Sequence, residues 1–160
     1  MERVFRGGEI ITGNRRDEVF EACLVRDGRV VIVGRESDVA ALTCDGAEVY
    51  DLTGRSVIPG FFTTAPLNTA EADGELGRVL SLIVGEGDVT PPEAVRRVVL
   101  GDAEKKDLDR LRGSLEWGKT ADLIVLSSSL SAFGAGTGAP PAVAEVFCAG
   151  EPCGRGSGPA

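Results

Sequence analysis

A chain of 160 residues with 42% apolar content is long enough for one compact domain and too short for a second large one. Its 17 basic and 25 acidic residues leave a formal charge of −8, which offers no cationic face to a phosphate backbone or an anionic lipid surface, so neither nucleic-acid nor membrane binding is expected. It contains no histidine, which removes the commonest metal ligand and general base from any mechanism.

No apolar run approaches the roughly 18 residues of a membrane span, and Met1-Glu2-Arg3 is not followed by the apolar core of a secretory leader. A cytoplasmic location is the resulting expectation. The cysteines Cys23, Cys44, Cys148 and Cys153 are scattered without a C-x-x-C pair, so they do not read as a zinc site. They are expected as free thiols of a reducing compartment, with a Cys148–Cys153 bridge as the alternative.

In chain order, residues 3–6, 9–12, 18–25 and 29–34 carry β-branched or aromatic side chains between glycines and read as strands, with Asp27-Gly28 as a hairpin turn. Residues 37–42 read as a short helical turn capped by Ser37 or Asp38. Strands follow at 48–51 and 55–58 across Thr53-Gly54. The period then changes, because Leu76, Val79, Leu80 and Ile83 at i, i+3, i+4 and i+7 place one apolar face on a helix of about ten residues. Thr90, Pro91 and Glu93 combine an N-cap, a proline at the first helical position and a capping box. The buried stripe of that second helix is Ala94, Val95, Val98 and Val99, and Gly101 is expected to end it. Charged residues 102–110 read as a solvated segment. Strand character returns at 122–126 and 144–148 around a Ser/Gly/Pro-rich loop at 127–141, and residues 154–160 read as a disordered tail.

Three stretches carry a resemblance: Arg6-Gly-Gly-Glu-Ile-Ile-Thr, Val25-Arg-Asp-Gly-Arg-Val-Val-Ile-Val-Gly, and Asp51-Leu-Thr-Gly-Arg-Ser-Val-Ile-Pro-Gly-Phe. With the closing Gly113-Ser-Leu-Glu-Trp-Gly-Lys-Thr-Ala-Asp-Leu-Ile-Val-Leu, they are similar to the opening and return segments of the sandwich in the amidohydrolase superfamily of metal-dependent hydrolases. The helix beginning Thr90-Pro-Pro-Glu-Ala-Val resembles the helix that precedes the return strand in that family.

The fold class expected is therefore α+β, mainly β: a β-sandwich built from residues 1–62 and 113–153, with 63–112 as a short helical insert in place of a TIM barrel. The catalytic barrel needs roughly 200 residues or more, which the interval cannot supply.

In the family the strand ending in Pro-Gly leads into D-x-H-x-H, whose histidines bind metal. Matched residue by residue after Pro59-Gly60-Phe61-Phe62, the aspartate position holds Thr63 and the two histidine positions hold Ala65 and Leu67. Neither Ala65 nor Leu67 has a lone pair to offer.

No catalytic, cofactor-binding or metal-binding residue and no cofactor is therefore assigned. Glu71, Asp73 and Glu75 read as a solvated acidic face, Ser127 to Ser129 as serines without a base, and glycines 134–138 as a flexible loop. Lys119 and Asp122 read as turn and strand-entry residues, and Trp117 as packing against the sandwich, with a surface contact point as the alternative.

The function expected is that of a non-catalytic, barrel-less relative serving as a binding or self-association module, a homodimer with no small-molecule ligand assigned. Two alternatives stand beside it: a residual hydrolase of carbon–nitrogen bonds using a partner chain or a metal-free site, and a deletion remnant without a selected role.

Overall fold

The computed structural model describes residues 2–61, 69–85 and 88–155. Its elements are β1 (Glu2–Ile11), β2 (Val19–Arg26), β3 (Arg29–Gly34), α1 (Glu36–Leu42), β4 (Glu48–Asp51), β5 (Ser56–Pro59) and α2 (Thr69–Gly85). After these come α3 (Pro91–Val95), a π-helical turn (Arg96–Leu100), α4 (Gly101–Lys105), β6 (Leu123–Leu126), α5 (Leu130–Gly134), β7 (Val143–Cys148) and β8 (Glu151–Arg155). The chain is thus mixed α/β, with an open eight-stranded sheet and a few mostly short helices.

All eight strands are hydrogen-bonded edge to edge in the order β3-β2-β1-β5-β6-β7-β8, with β4 beside β1. The two runs expected at the N-terminus are one long strand with a break inside it. Residues 3–6 pair in parallel with β4, whereas Glu9 and Ile10 pair with Ser56 and Val57 of β5. Gly7 and Gly8 make the switch. Gly7 has φ +87°, and a Cβ on Gly8 would strike the Leu52 carbonyl oxygen, so only glycine lets the backbones approach this closely.

Side chains alternate along the strands and so divide the core by face. Val57, Leu123, Val125 and Phe147 join Phe5, Ile10, Cys23, Val25 and Val30 in one cluster. Their neighbours Ile58, Ile124, Leu126 and Val146 point the other way and pack against Leu76, Val79, Ile83, Ala94, Val95, Val98 and Val99 of the helices. On the far side of β1 and β2, Val4, Ala22 and Leu24 are covered by Val39 of α1. The sheet also curls. β1 and β7 stand three positions apart, about 14 Å in a flat sheet, yet the rings of Phe5 and Phe147 meet edge-on at 5.1 Å.

The two chain ends interlock at two places. Gly60 N donates to the Asp122 carbonyl at 2.8 Å, so the chain leaves the sheet after β5 and re-enters before β6 at one point. Buried Arg3 of β1 reaches the β7–β8 turn, donating to the Gly150 carbonyl and pairing with Glu151 at 3.1 Å and Glu48 at 3.2 Å.

Several boundaries differ from the sequence reading. α1 begins at Glu36 with Arg35 at its N-cap, so neither Ser37 nor Asp38 caps it. Thr90 does cap α3, accepting from Glu93 N at 3.3 Å. Gly101 does not end that helix: with φ −59° it continues through the π turn into α4, and the stop falls at Lys106 before Asp107 at φ +55°. The loop at 127–141 contains α5, which Ser129 caps by accepting from Ala132 N. β8 extends to Arg155, two residues into the segment read as a tail, and 156–160 lie outside the described residues.

Because β6, β7 and β8 complete a sheet begun by β1 to β5, a fragment of residues 1–110 should not fold. It lacks the buried residues Leu123, Ile124, Val125, Leu126, Val143, Val146 and Phe147. Circular dichroism should show no cooperative melt; a soluble fragment melting cooperatively would contradict the shared core.

Candidate functional site

Thr63, Ala65 and Leu67, the positions matched to the metal-binding motif, lie outside the described residues. Among the described residues no group of three or more His, Cys, Asp or Glu is placed to hold a metal ion. The acidic trio starts α2 without converging: Asp73 accepts from Val143 N at 3.0 Å, Glu75 pairs with Arg78 at 2.6 Å, and Glu71 is exposed. Ser127 accepts from Ala142 N at 2.9 Å, and Ser129 caps α5. Asp73, Glu75, Ser127 and Ser129 thus stitch backbone or helix.

The cysteines divide three ways. Cys23 is wholly buried, and burial pushes its thiol up to about 12. Cys44 is exposed, its thiol raised first by the hydrogen bond to Glu2. Cys148 and Cys153 form a disulfide across the β7–β8 hairpin, which corrects the free-thiol reading for that pair. The two are five residues apart on a tight antiparallel ladder, and strand pairing brings their Cα atoms to 6.0 Å.

A half-buried carboxylate that the sequence reading overlooked is Glu9, just past the break in β1. It accepts hydrogen bonds from the Ser56 hydroxyl, from Ser129 Oγ at 3.0 Å and from Ser131 N at 3.1 Å. Burial alone would raise its pKa, but these donors outweigh burial and hold it below the usual carboxylate range. The only signal in the sequence is an acid amid a strand pattern, Gly8-Glu9-Ile10.

The return segment is the densest polar cluster. Lys119 is buried beneath its turn, donating to Ser114 Oγ at 2.6 Å and lying 3.2 Å from Glu116, and Ser114 donates to the same Glu116 oxygen at 2.5 Å. A lysine beside a serine resembles a nucleophile and its base. Here, however, the hydroxyl already both donates and accepts, and Ser114 is 2% exposed, so no substrate reaches it. The trio fixes the turn. Asp122 likewise accepts from Ala149 N at 2.8 Å and holds the β7–β8 turn.

Trp117 projects from this same turn and is 81% exposed, so the packing expected for it does not occur. Beside it lies a hollow of about 280 Å³ lined by Thr12, Asn14, Glu18, Phe20 and Glu116, with residues 31–33 of β3 at its wall. Glu116 is held below the usual carboxylate range: burial pushes it up, and Ser114 and Lys119 outweigh that push. A larger groove of about 690 Å³ runs along the outer side of α2 over Gly74, Gly77 and Ser81, flanked by Arg78 and Arg97.

No family model matches this sequence. An N-substituted formamide deformylase from Arthrobacter pascens is 42% identical over 50 residues, a match spanning 31% of this chain and only 9% of that enzyme. Three solved structures are similar over nearly the whole chain. Enamidase, described as a member of the amidohydrolase superfamily, superposes with a TM-score of 0.69 at 10% identity, covering 95% of each chain. A putative prolidase from Bifidobacterium longum gives 0.61 at 12% identity over 95% of this chain and 94% of that one. An amidohydrolase from Thermotoga maritima MSB8 gives 0.60 at 11% identity over 96% and 100%. The fold is amidohydrolase-like.

Replacing Glu9 with Gln tests the seam. A carboxyl whose folded pKa is lowered contributes stability above its unfolded value and loses it as pH falls through the folded one. Glu9→Gln should therefore melt lower at neutral pH by about 1–2 kcal/mol, and the gap should close as the solution is acidified below about pH 4. A gap unchanged by acid would mean that the charge contributes nothing.

Proposed function

We propose that this chain is a non-catalytic, barrel-less amidohydrolase-like domain that acts as a binding and self-association module. The observation that carries the reading is a composition without a single histidine in a chain whose fold matches members of a metal-dependent hydrolase family. A metal would need donors in the motif after Gly60, and Ala65 and Leu67 supply none. The described carboxylates of α2 are hydrogen-bonded or salt-bridged elsewhere or face solvent, Cys23 is sealed in the core, and two cysteines are joined to each other. This chain's residues do not fit a catalytic metal ion.

The described helices α2 to α4 act as the insert in place of the barrel, and the strands of the two chain ends form the sandwich-like unit in which the sheet curls over its own core. The resemblance of residues 1–62 and 113–153 to the family's opening and return segments favours the reading in which the hydrolase is ancestral and its chemistry is lost. No helix among the described residues is long and apolar enough to cross a membrane.

Elemental analysis of protein purified without chelator should find no stoichiometric transition metal, and simple amides, ureas, formamides and lactones should not turn over. Retained metal near one ion per chain, or hydrolysis abolished by a point substitution in this chain, would favour a residual hydrolase.

Self-association concerns the helices. Their inner faces already cover β5 to β7, so the surface left for a second copy is the outer side of α2, where Val84 is 70% exposed beside Gly77, Ser81 and Gly85. A two-fold dimer through that face should give twice the 16.6 kDa chain mass by light scattering at micromolar concentration. A monomer mass across a dilution series would remove self-association from the proposal.

A further inference from the structure

We propose that Trp117, together with Glu18 and Glu116, docks the arginine side chain of a basic partner segment. The inference rests on the binding-module reading and names the partner chemistry of one face.

The indole is presented rather than stored. Its turn is pinned by Gly118 N donating to the Val30 carbonyl at 2.8 Å, Lys119 N to the Glu116 carbonyl at 3.1 Å, and Arg29 to the Gly118 carbonyl at 2.9 Å. With the backbone held at both sides, an 81% exposed ring is a rigid anchor that no described part of the fold covers. Tryptophan is among the side chains enriched at the energetic centre of protein contacts.

The hollow beside the ring sets the chemistry. Its walls are the Phe20 ring and β3, and the two charged groups that line it are Glu18 and Glu116. Both carboxylates are positioned from behind through one oxygen: Glu18 Oε1 accepts from Asn14 Nδ2 at 2.9 Å, and Glu116 Oε1 is the atom held by Ser114 and Lys119. Two positive charges stand at the turn: Lys119 is buried behind it and met by Glu116, and the Arg29 guanidinium is held by the Gly118 carbonyl at 2.9 Å. An aromatic face next to oriented carboxylates suits a cation, and a guanidinium best. It is planar, stacks on an indole and donates two hydrogen bonds to carboxylates in its own plane, which a compact ammonium does not.

Charge complementarity at the hollow identifies the occupant as a basic segment: the charged groups lining it are both carboxylates, and on a chain of formal charge −8 a cationic partner is attracted and steered.

The full chain makes the test direct, because Trp117 is its only tryptophan and selectively excited tryptophan emission reports this site alone. The probe is acetyl-Thr-Arg-Thr-Arg-Thr-amide, compared with the same peptide carrying citrulline, a neutral isostere, in place of arginine. The arginine peptide should shift or quench the emission saturably, and added salt should weaken it. The citrulline peptide should bind roughly three- to fivefold more weakly for each arginine replaced. Glu18→Gln should reduce affinity for the arginine peptide by a similar factor with an unchanged melting curve, and Trp117→Ala, followed by calorimetry, should abolish binding. No saturable change, or equal response to both peptides, overturns the proposal while leaving the non-catalytic reading intact. Peptide binding by a protein that also turns over amides would sink that reading instead.

Discussion

The break in β1 at Gly7-Gly8 is the constraint on which the architecture turns. A single strand cannot hold two parallel partners on the same edge unless its backbone steps aside between them, and the step here needs both a positive φ and the absence of a Cβ. Before the break β1 lies beside β4, and after it beside β5, which carries the sheet onward to β6, β7 and β8. The break also exchanges faces: Phe5 and Ile10, an odd and an even position, share one cluster, while Val4 and Ile11 fall in two others. Without it the curled core would lose one of its walls.

Charges that at first sight look chemical are placed along the seams this break creates. Arg3, Glu9 and Asp122 each sit where separate segments of the chain meet, and each is matched by neutral donors, carbonyls or an opposite charge. A partly or fully buried charge must be satisfied or it opposes folding. Satisfying each one commits a particular pair of segments to a particular register, so polar residues that would draw a mechanistic reading are the ones that specify the fold.

Much of this architecture was legible in the sequence, and the parts that were not have identifiable reasons. Strand alternation, the Asp27-Gly28 turn and the Thr90-Pro91-Glu93 signal are local, and local rules read them. The continuity of the helix through Gly101 was hidden because glycine is an end signal only when it adopts a positive φ, which sequence does not reveal. α5 was hidden among serines and glycines that normally mark a loop. Glu9 and the Cys148–Cys153 bridge depend on groups brought together by folding, and Ser129 is 120 positions from Glu9. For Trp117 the aromatic character was evident but its direction was not: the Gly118 turn, at φ +80°, faces the ring outward.

The joint at Gly60 and Asp122 bears on how such a chain can change over evolutionary time. Its exit and re-entry points are hydrogen-bonded to each other within an antiparallel pair, so the sheet places no demand on what the intervening chain spans. A connection of almost any size can hang from that joint, since loop closure grows only slowly more unfavourable with length. The curled sheet is therefore a socket, and gaining or losing a whole enzyme body between these two residues need not disturb the framework that held it.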